Sequence, residues 1–598
     1  MAENPGIEKV EDLLKYVGNG SYVIPYFQRG FEWEATMVCD LIESILQNYY
    51  TGIILLWDLN TEDAKSEKWD PVWGAKLKNT PQKAILDGQQ RLSSLYYAMY
   101  NPNQKFPHRK SYYLFLLNLT KALNKEYDDA VTYKYYATHQ SWGTLLKDKD
   151  DWLKTGIIPL SILSAEDSNK PKQRYIDSTE FNEWLNRYLD QNRHILPEDT
   201  NTLKIFQVLN GILNYPFVFY PLSNKRELPD ICNIFARVNA KGMRLSTFDL
   251  MNAFLYPKGV ELRKDLWESL DNEPLKNIDN NMNEYLLKLI SLNKQNYCSS
   301  KYIHNLIPNV KAVKKDEFGK KHDVVLIKSG KEFKESWNNA CKYAERARKK
   351  IMNTGASDFG AIKTDFIPNT TMVPVLGAIL WECDGNADSV EFKKNLTKWY
   401  WSAVFSEDYS GSSDSVMAKD FRDWKEWINN ENTIDRINRI NEDFVNEIDF
   451  KSVKKGSARY NAVLSNLALN DARDFHKEQI IGTGDYANDK INDHHIFPKH
   501  VKGLDLEKSK TFKDIRDFVV NRTLLLDETN NEIKNKKPSQ YISEMIKKYG
   551  DETKVKEILK KHFISEKAYE YMKEDDFDDF VIERERAIKE HLISTLGI

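Results

Sequence analysis

Hydrophobic positions in the first 250 residues fall into short runs separated by longer stretches of helical spacing. Ile53–Trp57, Ala84–Leu86, Tyr112–Leu117 and Pro216–Tyr220 are apolar runs rich in β-formers, and the segments between them carry helical patterns. Such alternation predicts an α/β domain. Polar stretches rich in Lys and Asp near 60–82 and 120–150 read as loops or insertions. From about 251 to 455 the pattern turns helical, with Trp and Tyr spaced for helix-on-helix packing, interrupted by a polar stretch at 311–331. In this region Phe333, Trp337, Ala340, Cys341, Ala344 and Ile351 share one helical face, a predicted core stripe. Lys451–Gly456 is basic and small, as a linker into a last region would be. The fold class expected is α+β multidomain, divided as 1–250, 251–455 and 456–598.

Length agrees with that division, because 598 residues exceed what one hydrophobic core usually supports. A 41% hydrophobic and 29% charged composition is that of a globular chain. No apolar run reaches the roughly 18 residues of a membrane span, and no signal-peptide pattern opens the chain, so the expectation is a cytoplasmic protein without a membrane partner. Five scattered cysteines with no Cys-x-x-Cys pair read as reduced and mostly buried. Net charge is −3, which announces no nucleic-acid partner, yet residues 491–550 hold twelve Lys or Arg against nine Asp or Glu.

That locally basic segment also concentrates chemistry. Three of the eleven histidines lie in Asn492-Asp493-His494-His495-Ile496-Phe497-Pro498-Lys499-His500. Downstream, Asn521-Arg522-Thr523-Leu524-Leu525-Leu526 reads as a strand, and Asp527-Glu528-Thr529-Asn530-Asn531 leads into a polar helix start followed by Lys534, Lys536 and Lys537. A single His or Asn is most often a surface, capping or turn residue. The ordered set reverses that reading. His-His-Ile-x-Pro resembles the first strand of HNH nucleases of the ββα-metal type. The resemblance implies that His495 is the general base and His494 a ligand of a divalent metal, Mg²⁺ or Mn²⁺, with Asp493 as an alternative ligand because many relatives carry Asp where His494 stands. It further implies that Asn521 braces the loop carrying the base and that Asn530 binds the metal, with Asn531 as rival. His500 fits no motif position and reads as a surface residue.

Two N-terminal segments invite a second reading. Val23–Trp33 sets Gln28 and Arg29 among aromatics, and Arg29 suits bidentate contact with phosphate. In Leu86-Asp87-Gly88-Gln89-Gln90-Arg91-Leu92 a strand turns directly into a helix, whose N-terminal N–H groups and Arg91 would face one point, as a phosphate site requires. An Asp N-cap with Gly easing the turn is the plainer alternative. In Phe235–Leu250, Ser246 and Asp249 have capping-box spacing, which makes Asp249 structural, while Asn239 reads either way. Together with Phe405–Asp414, these segments resemble the GmrSD-type family of modification-dependent (type IV) restriction enzymes, a likeness spanning nearly the whole chain. It implies a ParB/sulfiredoxin-like N-terminal domain fused to an HNH domain. A nucleoside triphosphate would be bound and hydrolysed at Asp87, Gly88, Gln89, Gln90 and Arg91, with Gln28 and Arg29 close by. The implied partner is double-stranded phage DNA with modified bases such as glucosylated hydroxymethylcytosine, and a homodimer is compatible with the pattern. Phosphorothioate-linked defence enzymes share the same motifs, and a non-catalytic DNA-binding scaffold is the alternative from another class.

Overall fold

A computed structural model describes residues 4–61, 64, 69–167, 170–226, 230–232, 234–235, 246–315, 320–385, 388–411, 413–430, 433–482, 490–500 and 511–598. The chain divides into two compact units, Met1–Asp265 and Leu266–Ile598. The predicted boundary at 250 lies within the first unit, since helix Thr247–Leu255 adds Ala253 to a core of that unit. Residues 266–455 and 456–598 share the second unit, where helix Ala458–Leu469 packs on helix Val390–Phe405.

Unit 1 is built on a six-stranded sheet. Its strands are β1 (Gly6–Lys9), β2 (Tyr22–Pro25), β3 (Ile54–Asp58), β4 (Trp69–Asp70), β5 (Lys83–Asp87) and β11 (Pro216–Leu222), in the order β1-β11-β3-β5-β2-β4. β11 runs parallel to β3, and β2 parallel to β5; the other pairs are antiparallel. Alternating side chains explain why β3 and β5 read as continuous apolar runs. Ile54, Leu56 and Ile85 enter one core with helices Val10–Gly18, Ala35–Leu46, Gln89–Tyr100 and Thr202–Asn214. Leu55, Trp57, Ala84 and Leu86 enter the other, with Phe27, Cys232, Phe235 and Ala253. A strand covered on both faces has no polar face to show. Three further strands, β6 (Tyr112–Asn118), β7 (Val131–Tyr136) and β8 (Ile157–Pro159), form a sheet ordered β7-β6-β8. The stretch 120–150, expected as loop, thus contains a strand, and β7 escapes the pattern because four of its six positions are exposed. A small hairpin, β9 (Glu166–Asp167) and β10 (Lys170–Arg174), completes the unit's strands among the described residues.

Unit 2 is mainly helical. Helices Met282–Gln295, Gly330–Met352 and Met372–Glu382 pack on one another. Gly377 permits this approach: a Cβ there would sit 2.5 Å from Leu289 Cδ1 and 3.3 Å from the Tyr343 carbonyl oxygen. The core stripe of helix 330–352 is Phe333, Trp337, Ala340, Ala344, Ala347 and Ile351. Cys341 sits at its flank, partly exposed, because Tyr343 and Ala347 complete the buried face instead. The other four cysteines are buried and unpaired. The polar stretch at 311–331 holds a Lys-rich hairpin, β12 (Lys311–Lys315) and β13 (Lys321–Val325). A second two-stranded ribbon, β14 (Ile491–His495) and β15 (Arg522–Leu526), is followed at once by helix Asp527–Ile533. Behind it lie helices Pro538–Tyr549, Glu552–Lys560, Glu566–Lys573 and Phe577–Leu596. Among the described residues no helix is long and apolar enough to cross a membrane.

Candidate active site

Antiparallel pairing of β14 with β15 sets His494 opposite Thr523 and His495 opposite Arg522. Neighbouring strand residues point to opposite faces, so the two imidazoles part company. His494 turns inward and is 4% exposed, whereas the His495 ring stays about one-fifth exposed at 22%.

Three buried polar anchors fix the elements around these rings. Asp474, wholly buried, accepts hydrogen bonds from the Leu526 N–H and the Thr529 hydroxyl, and also from the N–H groups of His476 and Lys477. It thereby clamps the turn from β15 into helix 527–533. Asn521, also wholly buried, accepts from the Phe497 N–H at 2.8 Å and donates to the Phe497 and Arg516 carbonyls at 3.0 and 2.8 Å. That carboxamide holds the Phe497 peptide, while the Ile496 N–H donates to the Asn521 carbonyl and the Ile496 carbonyl accepts from the Tyr541 hydroxyl, each at 3.0 Å. His562 stands behind β15, its Nδ1 2.5 Å from the Thr523 hydroxyl and its Nε2 2.7 Å from the Arg473 carbonyl. Because Nε2 must donate to that carbonyl, Nδ1 accepts from Thr523. Burial drives this ring's pKa down to about 3, so it is neutral.

With the frame set, helix 527–533 carries Asn530 to His494: Oδ1 lies 2.6 Å from Nδ1. Burial lowers the His494 pKa to about 4, against the bond to Asn530, so at neutral pH the ring is uncharged and has a nitrogen lone pair. Its Nε2 is buried without a hydrogen-bond partner. His495 places Nε2 2.8 Å from Asp517 Oδ1. Burial and then the Arg522 guanidinium push its pKa down, with Asp517 opposing them.

The structure therefore brings His494 and Asn530 into contact, sets His495 beside them on the strand, and ties Asn521 to the intervening loop. It does not bring Asp493 to Asn530. Asp493 accepts from the Tyr460 hydroxyl at 2.6 Å and pairs with Lys455, with Arg522 at 3.8 Å. Burial raises its pKa, and these partners outweigh burial to leave it below the usual carboxylate range. Asn531 is exposed and bonds Asp527, and His500 is exposed. Among the described residues no three His, Cys, Asp or Glu side chains are grouped to hold a metal ion. The sequence motifs do not include Asp474, Asp517 or His562. Asp517, four residues before Asn521, left a signal as the nearest upstream carboxylate; Asp474 and His562 left none.

In unit 1, Gly88 has φ +94, and a Cβ there would lie 3.1 Å from Ile54 Cγ1, so the turn from β5 into helix Gln89–Tyr100 requires glycine. Asp87 does not cap that helix through its side chain; its carboxylate pairs with Arg91 at 3.1 Å. Arg91 also donates to the Thr51 and Ile53 carbonyls at 2.6 and 2.7 Å, in space left by Gly52, where a Cβ would collide with the guanidinium. Gln28, buried, donates to the Ile85 carbonyl at 2.6 Å, and Gln89 donates to the Arg29 carbonyl at 2.9 Å. Gln90 donates to the Gly30 carbonyl and accepts from the Glu32 and Trp33 N–H groups. Gln28, Gln89, Gln90 and Arg91 thus tie loops 28–33 and 51–53 to strand β5 and the helix that follows it, while the half-buried Arg29 guanidinium forms no ion pair among the described residues. Ser246 and Asp249 form the capping box, and Asp249 also pairs with Arg263. Asn239 lies outside the described residues.

The N-terminal domain of the GmrSD restriction endonuclease matches residues 10–256. An uncharacterized protein of Methanocaldococcus jannaschii is 30% identical over 98% of this chain and 98% of its own length. Residues 10–256 thus match the N-terminal domain of the GmrSD restriction endonuclease, and the chain is similar over nearly its full length to that archaeal protein.

Proposed function

We propose that unit 2 hydrolyses DNA phosphodiesters at an HNH-type ββα site formed by His494, His495 and Asn530, and that the protein restricts foreign DNA carrying modified bases, such as glucosylated hydroxymethylcytosine. One observation carries this reading: His494 and Asn530, from distant stretches, meet at 2.6 Å beside a second imidazole whose loop is braced by Asn521. His495 takes a proton from water; the hydroxide so formed attacks phosphorus, and the bond to the leaving ester oxygen breaks as that oxygen gains a proton from solvent. A neutral ring at the start of the reaction is what this step needs, and the burial of His495 favours one.

His494 and Asn530 suit a divalent cation. An imidazole nitrogen and a carboxamide oxygen are ligand types such an ion takes; with Nδ1–H donating to Asn530 Oδ1, the ring's lone pair rests on Nε2, which is buried without a partner, and an ion bound by both side chains would replace that hydrogen bond. Since no three His, Cys, Asp or Glu side chains group here among the described residues, water and substrate phosphate oxygens would complete the ion's ligands. Mg²⁺ or Mn²⁺ held there supplies charge stabilisation to the phosphate and the leaving oxygen.

For unit 1 the reading is a nucleoside triphosphate site that regulates cleavage. Because Gln28, Gln89, Gln90 and Arg91 spend their polar atoms on backbone groups, they act as its frame. Phosphate oxygens would be met by Arg29 and by the first N–H groups of helix Gln89–Tyr100, which have no intrahelical partner.

The test is plasmid nicking by the full chain with and without Mg²⁺ or Mn²⁺, extended to phage genomes that differ only in cytosine modification. Metal-dependent nicking that falls by about 100-fold or more in folded His495→Ala supports the reading, and nicking undiminished in that variant refutes it.

A further inference from the structure

We infer that Asp517 is the positioning residue for His495, the carboxylate that selects its tautomer and aims its Nδ1 at the water to be deprotonated. The inference rests on the nuclease reading of this site and deepens it.

Asp517 is not on either strand. It sits between the short helix Phe512–Ile515 and the turn Val519–Asn521. Its Oδ1 meets His495 Nε2 at 2.8 Å and an Arg522 Nη2 at 3.1 Å. Its Oδ2 lies 3.3 Å from Lys499 Nζ and 3.9 Å from Arg516 Nε. The ribbon's register makes this convergence unavoidable, since Arg522 stands directly opposite His495. Arg522 in turn donates to the Asp493 carbonyl at 3.1 Å, so its guanidinium is pinned to the strand that carries both imidazoles. Asn521 holds the backbone on both sides of the pair, bonding the Arg516 carbonyl next to Asp517 and the Phe497 peptide two residues beyond His495. The same side chain therefore fixes the segment bearing the carboxylate and the loop after the base.

An ionised carboxylate only accepts, so His495 must donate Nε2–H to it. In a neutral ring the proton then resides on Nε2 and the lone pair on Nδ1, which is the arrangement a base needs if Nδ1 is to receive the water proton. Once Nδ1–H forms, both ring nitrogens carry protons and the cation lies against Asp517. Without that carboxylate the cation would lose its hydrogen-bonded counter-charge while Arg522 stayed beside it, and the neutral ring would be free to take the other tautomer or rotate. The plain alternative is that Asp517, 43% exposed and ringed by cations, is a surface ion-pair hub of small energetic weight. The opposite alternative is that it ties up His495 and slows the enzyme.

The three are separated by single-turnover nicking of supercoiled plasmid with the full-length protein and Mg²⁺. The variants are Asp517→Ala, Asp517→Asn, Asp517→Glu, His495→Ala and the double variant His495→Ala/Asp517→Ala, with thermal melting checked for each. Asp517→Ala and Asp517→Asn are expected to lower the saturating single-turnover rate constant by about 10- to 100-fold, part of the roughly 10²–10⁴-fold a general base supplies, with the half-saturating protein concentration changed less than about twofold. Asp517→Glu recovers part of the loss. In the His495→Ala background, removing Asp517 changes the rate by less than about twofold, because there is no ring left to orient. An equal loss in both backgrounds makes Asp517 merely structural, and an unchanged or faster Asp517→Ala enzyme, with Asp517→Asn agreeing, overturns the inference. Should His495→Ala itself cleave like the wild type, the nuclease reading fails at its base, a result distinct from failure of Asp517 alone.

Discussion

Asn521→Ala should loosen the loop behind His495 selectively. The carboxamide makes three hydrogen bonds, and all of its partners are backbone groups: the Phe497 N–H, the Phe497 carbonyl and the Arg516 carbonyl. Asn521 itself is 0% exposed, so water does not reach these groups unless the site opens. Each buried polar group left without a partner costs about 1–3 kcal/mol, and the two carbonyls relax more easily than the single N–H. A total of about 2–4 kcal/mol follows, below the simple sum because part of the space admits water. Hydrogen exchange reads this directly: at about 1.4 kcal/mol per decade, the Phe497 amide should exchange roughly 30- to 1000-fold faster in the variant. Amides of helix Gly330–Met352, in the same unit, should be unchanged. Asn521→Asp keeps an acceptor for Phe497 but turns a negative oxygen on two carbonyls, and should exchange at least as fast. Nicking should fall by about 100-fold or more, since the base loses its backbone seat. If Phe497 exchanges at the wild-type rate in Asn521→Ala, the carboxamide does not hold this loop, and the structural basis for the site is wrong.

Other expectations concern the frame. His562 has a folded pKa of about 3 against an ordinary value near 6.5. The stability it contributes is complete above pH 6.5 and is lost as pH falls from 6.5 toward 3, by at most about 1.4 kcal/mol per pH unit; melting of unit 2 should fall steeply below pH 6, and His562→Gln, less stable at pH 7, should show a shallower slope. Asp474→Ala removes the acceptor shared by Leu526, Thr529, His476 and Lys477, and should cost about 3 kcal/mol or more by chemical denaturation of unit 2; a loss under about 1 kcal/mol would contradict the clamp. In unit 1, Arg91→Ala should destabilise by about 2–4 kcal/mol, because two carbonyls and Asp87 lose their donor. Arg29→Ala should leave melting within about 0.5 kcal/mol and weaken nucleoside triphosphate binding by about tenfold in calorimetry. Equal binding in Arg29→Ala and wild type would remove Arg29 from that site.

Much of the frame was legible in the chain because it depends on local pattern. β3, β5, β6 and β11 are apolar runs bounded by turns, and Gly88 marks the sharp entry into helix Gln89–Tyr100. β7 and the β12–β13 hairpin were not legible, because exposed Thr, Tyr and Lys give no alternation to detect. At the candidate site, the spacing of His494, His495, Asn521 and Asn530 carried the reading, since one ribbon and one helix are enough to bring them together. Asp474, Asp517 and His562 act through partners far away in sequence or outside any motif, so their roles exist only once the ribbon is packed. Arg91 shows the converse. Its place in the first turn of a helix suggested a phosphate ligand, but the missing side chain at Gly52 opens a slot that the guanidinium fills with backbone carbonyls.

The central claim is that two separated stretches of unit 2 serve one divalent cation. Crystals of the full chain soaked in Mn²⁺, with diffraction recorded at the manganese edge, test it most directly. The account predicts one anomalous peak bonded to an imidazole nitrogen of His494 and to Asn530 Oδ1, absent in Asn530→Ala. A protein that nicks DNA at the same Mn²⁺ concentration while showing no density between these residues would contradict it.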